Sequence, residues 1–262
     1  MRGYSARGVC ARIERGLMVM LGRTHAMNAL ALAHVGYVGY MKYLETGGTV
    51  GQDMLASLGL PTTEPLSVLE YTLVSLITFM FVLWFLRIGR PRMRRGFLGI
   101  FVFAYLALWS FSGTTAPLVL ATAMLCYVLG SLLPDIDSEG STIGRYIKPI
   151  ARTIPHRTIT HTLWFILVFA IISWFTTSIY LWAMTLGIII HIIQDSFSRQ
   201  GIAWLYPVVG GYRQYGYATV KKGRNPSFGY AVGGVFEDII FYASLVINIG
   251  LVFYVTMFYY GF

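Results

Sequence analysis

Seven stretches of this chain, at about 28–44, 66–86, 97–112, 115–133, 162–178, 180–194 and 238–259, are apolar and nearly free of charge. Each approaches the roughly 20 residues that a helix needs to cross a hydrocarbon core. The chain is 56% hydrophobic and 12% charged with a mean hydropathy of +0.64, far more apolar than a soluble domain. The pattern predicts an all-α, polytopic helical membrane protein with about seven transmembrane helices. Only Thr176, Thr177 and Ser178 separate the fifth and sixth runs, so a single re-entrant segment is the competing reading there.

Lys and Arg set the expected orientation. With seven spans, the segments 1–27, 87–96, 134–161 and 195–237 share one side and hold 19 of the 20 basic residues, leaving Lys42 on the other. The positive-inside rule then predicts a cytoplasmic N-terminus for a multi-pass cell-membrane protein. The 45–65 loop, with Glu45, Asp53 and Glu64 and no base, fits the outer face.

A net charge of +9 raises nucleic acid as a partner. These bases flank spans and lack a groove-reading or stacked aromatic pattern, so anionic headgroups and topology account for them. The turn from Arg87 to Arg95, broken by Pro91, reads as such an anchor, with phosphate steering as the alternative. Cys10 and Cys126 have neither disulfide nor metal spacing. The expected organisation is one integral membrane domain over 1–262, with a basic N-terminal extension at 1–21 that is not a cleaved signal. A Gly- and Tyr-rich segment at 196–236 reads as a cytoplasmic interfacial loop or short hairpin. Met18 and Met20 are alternative starts.

Groups able to bind metal fall at the same predicted depth. Leu132-Leu133-Pro134-Asp135-Ile136-Asp137 closes the fourth span; proline stops the helix, so Asp135 and Asp137 leave it on an irregular turn. His156 and His161 frame the entrance to the fifth span, and Arg157 between them is placed either to clamp a phosphate or to anchor topology. His191 and Asp195 are four apart and share a helix face, where ionisable groups inside a span are functional candidates. His25 opens the first span. His34, nine residues on, lies half a turn round and about 13 Å deeper, which makes it a packing residue. Glu237 and Asp238 start the last span, as a base, a ligand or simple dipole complements.

With these motifs the chain resembles the YdjM-like family of membrane-bound, metal-dependent hydrolases, also described as LexA-binding, inner membrane-associated hydrolases. The resemblance rests on Thr24-His25, the Leu-Leu-Pro-Asp-Ile-Asp run, His156-Arg157 with Thr160-His161-Thr162, His191-Ile192-Ile193-Gln194-Asp195, and Gly201 through Trp204-Leu205-Tyr206-Pro207. It implies a metal-dependent active site more strongly than any substrate. Ser198-Arg199 stands where the family has Thr-Pro, and Tyr206 where it often has Trp.

The expected function is a hydrolase with one or two divalent ions, Zn, Mn, Mg or Fe, facing the cytoplasm. Asp135, Asp137, His156, His161, His191, Asp195 and His25 are the expected ligands, and Arg157 and Glu237 the catalytic groups. A lipid-linked or phosphoester substrate fits the interfacial placement. The rival readings are a divalent-ion transporter, and a non-enzymatic membrane protein whose structural metal helps recruit a cytosolic partner.

Overall fold

A computed structural model of the protein describes residues 6–45, 66–88, 90–112, 115–154, 156–198, 201–208, 212–215, 218–221, 234–255 and 257. Its architecture is helical: α1 (Ala6–Glu45), α2 (Val68–Phe85), α3 (Pro91–Phe111), α4 (Ala116–Gly130), short α5 (Lys148–Thr153), α6 (Leu163–Thr176), α7 (Ile179–Ser196) and α8 (Val235–Tyr254). Two 3-10 turns, Leu133–Asp137 and Ile159–His161, sit between helices. Within the 196–236 segment, β1 (Tyr212–Tyr215) and β2 (Ala218–Lys221) pair as an antiparallel ribbon, the short hairpin expected there. Tyr217 and Tyr230, among the tyrosines of that segment, lie outside the described residues.

Local chemistry explains the helix boundaries. Ser67 and Glu70 form a capping box at the start of α2, each satisfying a backbone N–H that the first turn leaves open. Pro91 opens α3, where its missing N–H costs nothing. The left-handed Thr177 (φ 47°) ends α6, so the fifth and sixth apolar runs are two helices joined by a tight turn. Helix α1 begins at Ala6; the basic extension is therefore helical and continuous with the first apolar run, not a separate tail.

The surface carries the apolar residues that a soluble protein would hide. Phe103, Phe111, Trp174, Phe175 and Val246 are each at least 67% exposed, while the interior gathers Ser, Thr, His and Asp alongside its Leu and Ile. Such an extensive apolar exterior marks a membrane-facing surface. By length and composition α3, α7 and α8 suffice to cross a membrane, and Leu69–Phe85, α4 and α6 are shorter apolar helices.

Two glycines position the site. A Cβ on Gly130 of α4 would strike the Met184 carbonyl, and one on Gly187 of α7 would strike the Tyr127 carbonyl. The α4 and α7 backbones therefore pack at a distance only glycine permits, a close approach typical of membrane helices. This contact sets the end of α4, and with it the Leu133–Asp137 turn, against the last two turns of α7. On the other flank α1 packs on α8, where the Asn248 amide donates to the Met27 carbonyl at 3.2 Å. A buried cluster of Ala26, Met27, Leu30, Val82, Val128 and Leu132 fills the space between α1, α2 and α4.

Candidate metal centre

Four segments converge where α4, α7 and α1 meet: the start of the first apolar run, the Leu133–Asp137 turn, the 156–161 loop and the end of α7. His25, Asp135, Asp137, His161, His191 and Asp195 are all buried, and His156 is partly exposed. Each of the seven sequence-predicted ligands thus reaches one region.

Hydrogen bonding fixes the orientation of both deeply buried imidazoles. His191 Nδ1 lies 2.6 Å from the Ser131 carbonyl; a carbonyl only accepts, so Nδ1 carries the proton and Nε2 is turned inward. The Thr160 hydroxyl donates to Asp137 Oδ2 at 2.6 Å. Its oxygen is then free to accept from His161 Nδ1, 3.0 Å away, so His161 also turns Nε2 inward. The two Nε2 atoms face each other at 3.3 Å.

Two carboxylate oxygens complete the group. His161 Nε2 is 3.4 Å from Asp195 Oδ2 and 3.7 Å from Asp135 Oδ1. His191 Nε2 is 3.8 Å and 3.7 Å from the same two atoms. A tetrahedral ion with nitrogen and oxygen ligands at about 2.1 Å has ligand-to-ligand edges of about 3.4 Å. Five of the six edges of such a tetrahedron are therefore present, at 3.3 to 3.8 Å. Asp195 Oδ2 is buried, accepts no hydrogen bond and faces the two imidazole Nε2 atoms, so an ion among these atoms would meet a charged oxygen that is costly to bury alone. The donor set fits a divalent ion.

Two narrower groupings, Asp135-Asp137-His156-His161 and His25-His191-Asp195, also bring donor atoms within 4.8 Å of one another. The hydrogen bonds favour the set that bridges them. Asp137 Oδ1 lies 2.7 Å from His156 Nδ1, and Oδ2 accepts from Arg157 N–H at 2.9 Å as well as from Thr160. With its lone pairs so engaged, Asp137 shapes the 156–161 loop and orients two histidines, as a carboxylate behind a metal-ligating imidazole does. His25 borders the other side, its ring stacked on His191 at 4.0 Å and its Nε2 3.4 Å from Asp195 Oδ1.

Arg157, read from sequence as a phosphate clamp or a topology anchor, lies inside the site. It is buried, and its guanidinium donates to Asp195 Oδ1 at 2.9 Å and to Ser198 Oγ at 2.7 Å. Its backbone is left-handed (φ 62°), a strained state for a non-glycine residue. The guanidinium thus holds Asp195 so that Oδ2 points inward. Glu237 is buried at the start of α8 and accepts from Thr24 Oγ1 at 3.1 Å, tying α8 to the turn of α1 that carries His25. His34 is hydrogen-bonded to Tyr71 at 2.9 Å, away from this group. The orienting roles of Ser131, Thr160 and Ser198 were not read from sequence, because nothing in a hydroxyl or a carbonyl marks it as an orienting group before its partner is known.

Outside the spans, electrostatics show how negative the site is. Burial raises the Asp135 pKa, but the His191 and His161 rings outweigh it and bring it to about 2. Burial pulls His161 down, yet Asp137, Asp135 and Asp195 overcome it and lift it to about 10. Three buried carboxylates thus face one buried guanidinium and the protonated His161 ring, and a cation that displaces the His161 proton takes over the same carboxylates.

A family model described as YdjM inner membrane protein matches residues 97–262. The inner membrane protein YdjM of Escherichia coli K12 is 37% identical over 93 residues, covering 30% of this chain and 46% of that protein. Its Shigella flexneri counterpart gives the same figures. Uncharacterized protein YvsG of Bacillus subtilis 168 is 35% identical over 89 residues, 30% of this chain and 53% of that protein. The chain spans about half the length of the curated relatives it matches. No solved structure matches it. The family model covers well over half of the sequence and takes in the Asp135, His161, His191 and Asp195 positions, so this chain is an inner-membrane protein that belongs to the YdjM family.

Proposed function

We propose that the protein is a membrane-bound, metal-dependent hydrolase whose site opens toward the cytoplasm. The single observation that carries this reading is the near-tetrahedral set of His161 Nε2, His191 Nε2, Asp135 Oδ1 and Asp195 Oδ2, the last accepting no hydrogen bond. These four residues would hold a divalent ion, with His25 as a further ligand. The seven apolar runs and the one-sided distribution of Lys and Arg support seven spans and a cytoplasmic N-terminus.

When bound, such an ion supplies Lewis acidity and lowers the pKa of water at its open position. The chain's own residues supply the rest. His156 is the group best placed to move a proton: its side chain is 30% exposed, and Asp137 engages its Nδ1 at 2.7 Å, which keeps Nε2 out of that hydrogen bond. Arg157 positions Asp195 without touching solvent. Glu237 supports the α1 turn that presents His25. A lipid-linked or phosphoester substrate is the class that suits a site at the membrane edge beside basic loops.

Elemental analysis of detergent-purified protein beside Asp195→Asn tests the site, with about one ion per chain expected in the parent and near none in the variant. Turnover of a panel of phosphoesters, esters and amides by the metal-loaded protein, abolished by His156→Ala with metal retained, tests the hydrolase reading. A second reading draws on the near-complete burial of all four donors, since closed four-ligand sites are typically structural. In that case the loaded protein is inert on every substrate, and metal removal lowers the Tm.

A further inference from the structure

A second polar feature lies apart from the metal centre, where the end of α2 and the start of α3 meet the loop after the Leu133–Asp137 turn. Trp84, Phe85, Arg87, Arg94, Arg95 and Tyr146 line a cavity of about 780 Å³. Among its described walls there is no carboxylate. The Arg87 guanidinium donates to the Tyr146 hydroxyl, and both Arg87 and Arg145 lie 5.4 Å from the centre of the Tyr146 ring. One aromatic ring thus gathers two guanidiniums from distant parts of the chain.

The gathering is electrostatically unfavourable as it stands. Burial, and then the nearby Arg87 and Arg94 charges, hold the Arg145 pKa below its ordinary value. Arg94 Nε and Arg145 Nη2 are buried with no hydrogen-bond partner. Arg87 keeps a left-handed backbone (φ 56°), which costs a residue with a Cβ. Converging like charges and unused donors at and behind one cavity are both relieved by the same thing, an anion accepting several N–H groups. Guanidinium forks match the oxygens of a phosphate, and the Trp84 and Phe85 wall offers apolar surface beside them.

We propose that this cavity binds a phosphate group, held by Arg87, Arg94 and Arg95 with Arg145 behind them. Its position at the end of an apolar helix admits the headgroup of an anionic lipid, and a soluble phosphate has the same chemistry. The site is independent of the metal centre: none of its residues belongs to the carboxylate and imidazole group.

The test uses the full chain in neutral detergent, with native mass spectrometry as the readout. The probes are dioleoyl phosphatidylglycerol, inorganic phosphate and, as a phosphate-free control, dioleoylglycerol. Retention of phosphatidylglycerol well above dioleoylglycerol, falling about tenfold or more in Arg94→Gln/Arg95→Gln, supports a lipid phosphate. Binding of inorganic phosphate with the same sensitivity to that variant, and no preference for the lipid, supports a soluble source. Equal retention of dioleoylglycerol, or undiminished phosphatidylglycerol and phosphate binding in the variant, overturns the proposal. Metal content and Tm report on folding of the variant. Arg87→Gln, at the end of α2, serves as the second test if the double variant is unstable, with the same outcomes deciding.

Discussion

Asp195 divides its two oxygens between an arginine and an open inward position, and that division is the finest detail of the site. Oδ1 takes Arg157, while Oδ2 faces His161 and His191. Asp195→Asn keeps the shape but replaces one oxygen by an NH₂, so metal occupancy should collapse, as elemental analysis will read. Asp137→Asn acts one step back, on the orientation of His161 and His156. Metal affinity should fall by about 10- to 100-fold, measurable by competition with a chromophoric chelator, while the ion still binds at saturating concentration. The pH response follows from His161. Its pKa stands at about 10, so without metal its ring is protonated at neutral pH and must lose that proton to ligate. Metal affinity should rise with pH below that value. Calorimetry in two buffers of different ionisation enthalpy should show proton release on binding; uptake, or no proton change, would contradict His161 as a ligand. In metal-free protein the same raised pKa has the opposite consequence: its contribution to stability is full below the ordinary 6.5 and is lost as pH climbs toward 10.

At the scale of elements, the contact between α4 and α7 decides whether those residues meet. Gly187 and Gly130 each lie against a carbonyl of the facing helix, so Gly187→Ala must push the helices apart and carry His191 away from Ser131. Lower Tm and lower metal content should appear together. Gly250, on α8, has nothing within 4 Å of its absent side chain. Gly250→Ala should leave metal content unchanged and alter stability by no more than about 1 kcal/mol, in the favourable direction. Equal behaviour of the two variants in thermal melts would rule out close packing as the reason for Gly187. The helix stops were legible in sequence, since Pro134 and Pro91 end or open helices for local reasons. The glycine contact was not, because a glycine inside an apolar run gives no sign of which backbone approaches it.

For the whole molecule, sidedness is the property that the Lys and Arg distribution predicts. Single cysteines introduced after Cys10 and Cys126 are changed to Ser report on it directly. Glu139→Cys, in the 134–161 segment, should not be reached by a membrane-impermeant maleimide applied to intact cells, whereas Thr49→Cys, in the 45–65 loop, should be. The reverse pattern would invert the molecule and move the metal centre outside. The sequence determined the medium, the helical class and the inventory of ligands, because hydropathy and helix-breaking residues act over a few neighbours. The i,i+4 spacing of His191 and Asp195 likewise placed both on one face from local geometry alone. Which candidate donors converge on one point was decided only by tertiary structure. Asp135 and Asp137 are separated by a single residue and looked equivalent, yet Asp137 commits its oxygens to Arg157 N–H, Thr160 and His156 while Asp135 faces two imidazoles. Arg157 is buried against Asp195, a partner that its sequence neighbours do not indicate. These assignments depend on partners 19 to 56 residues away, and no pattern of neighbouring residues encodes where a distant partner will stand.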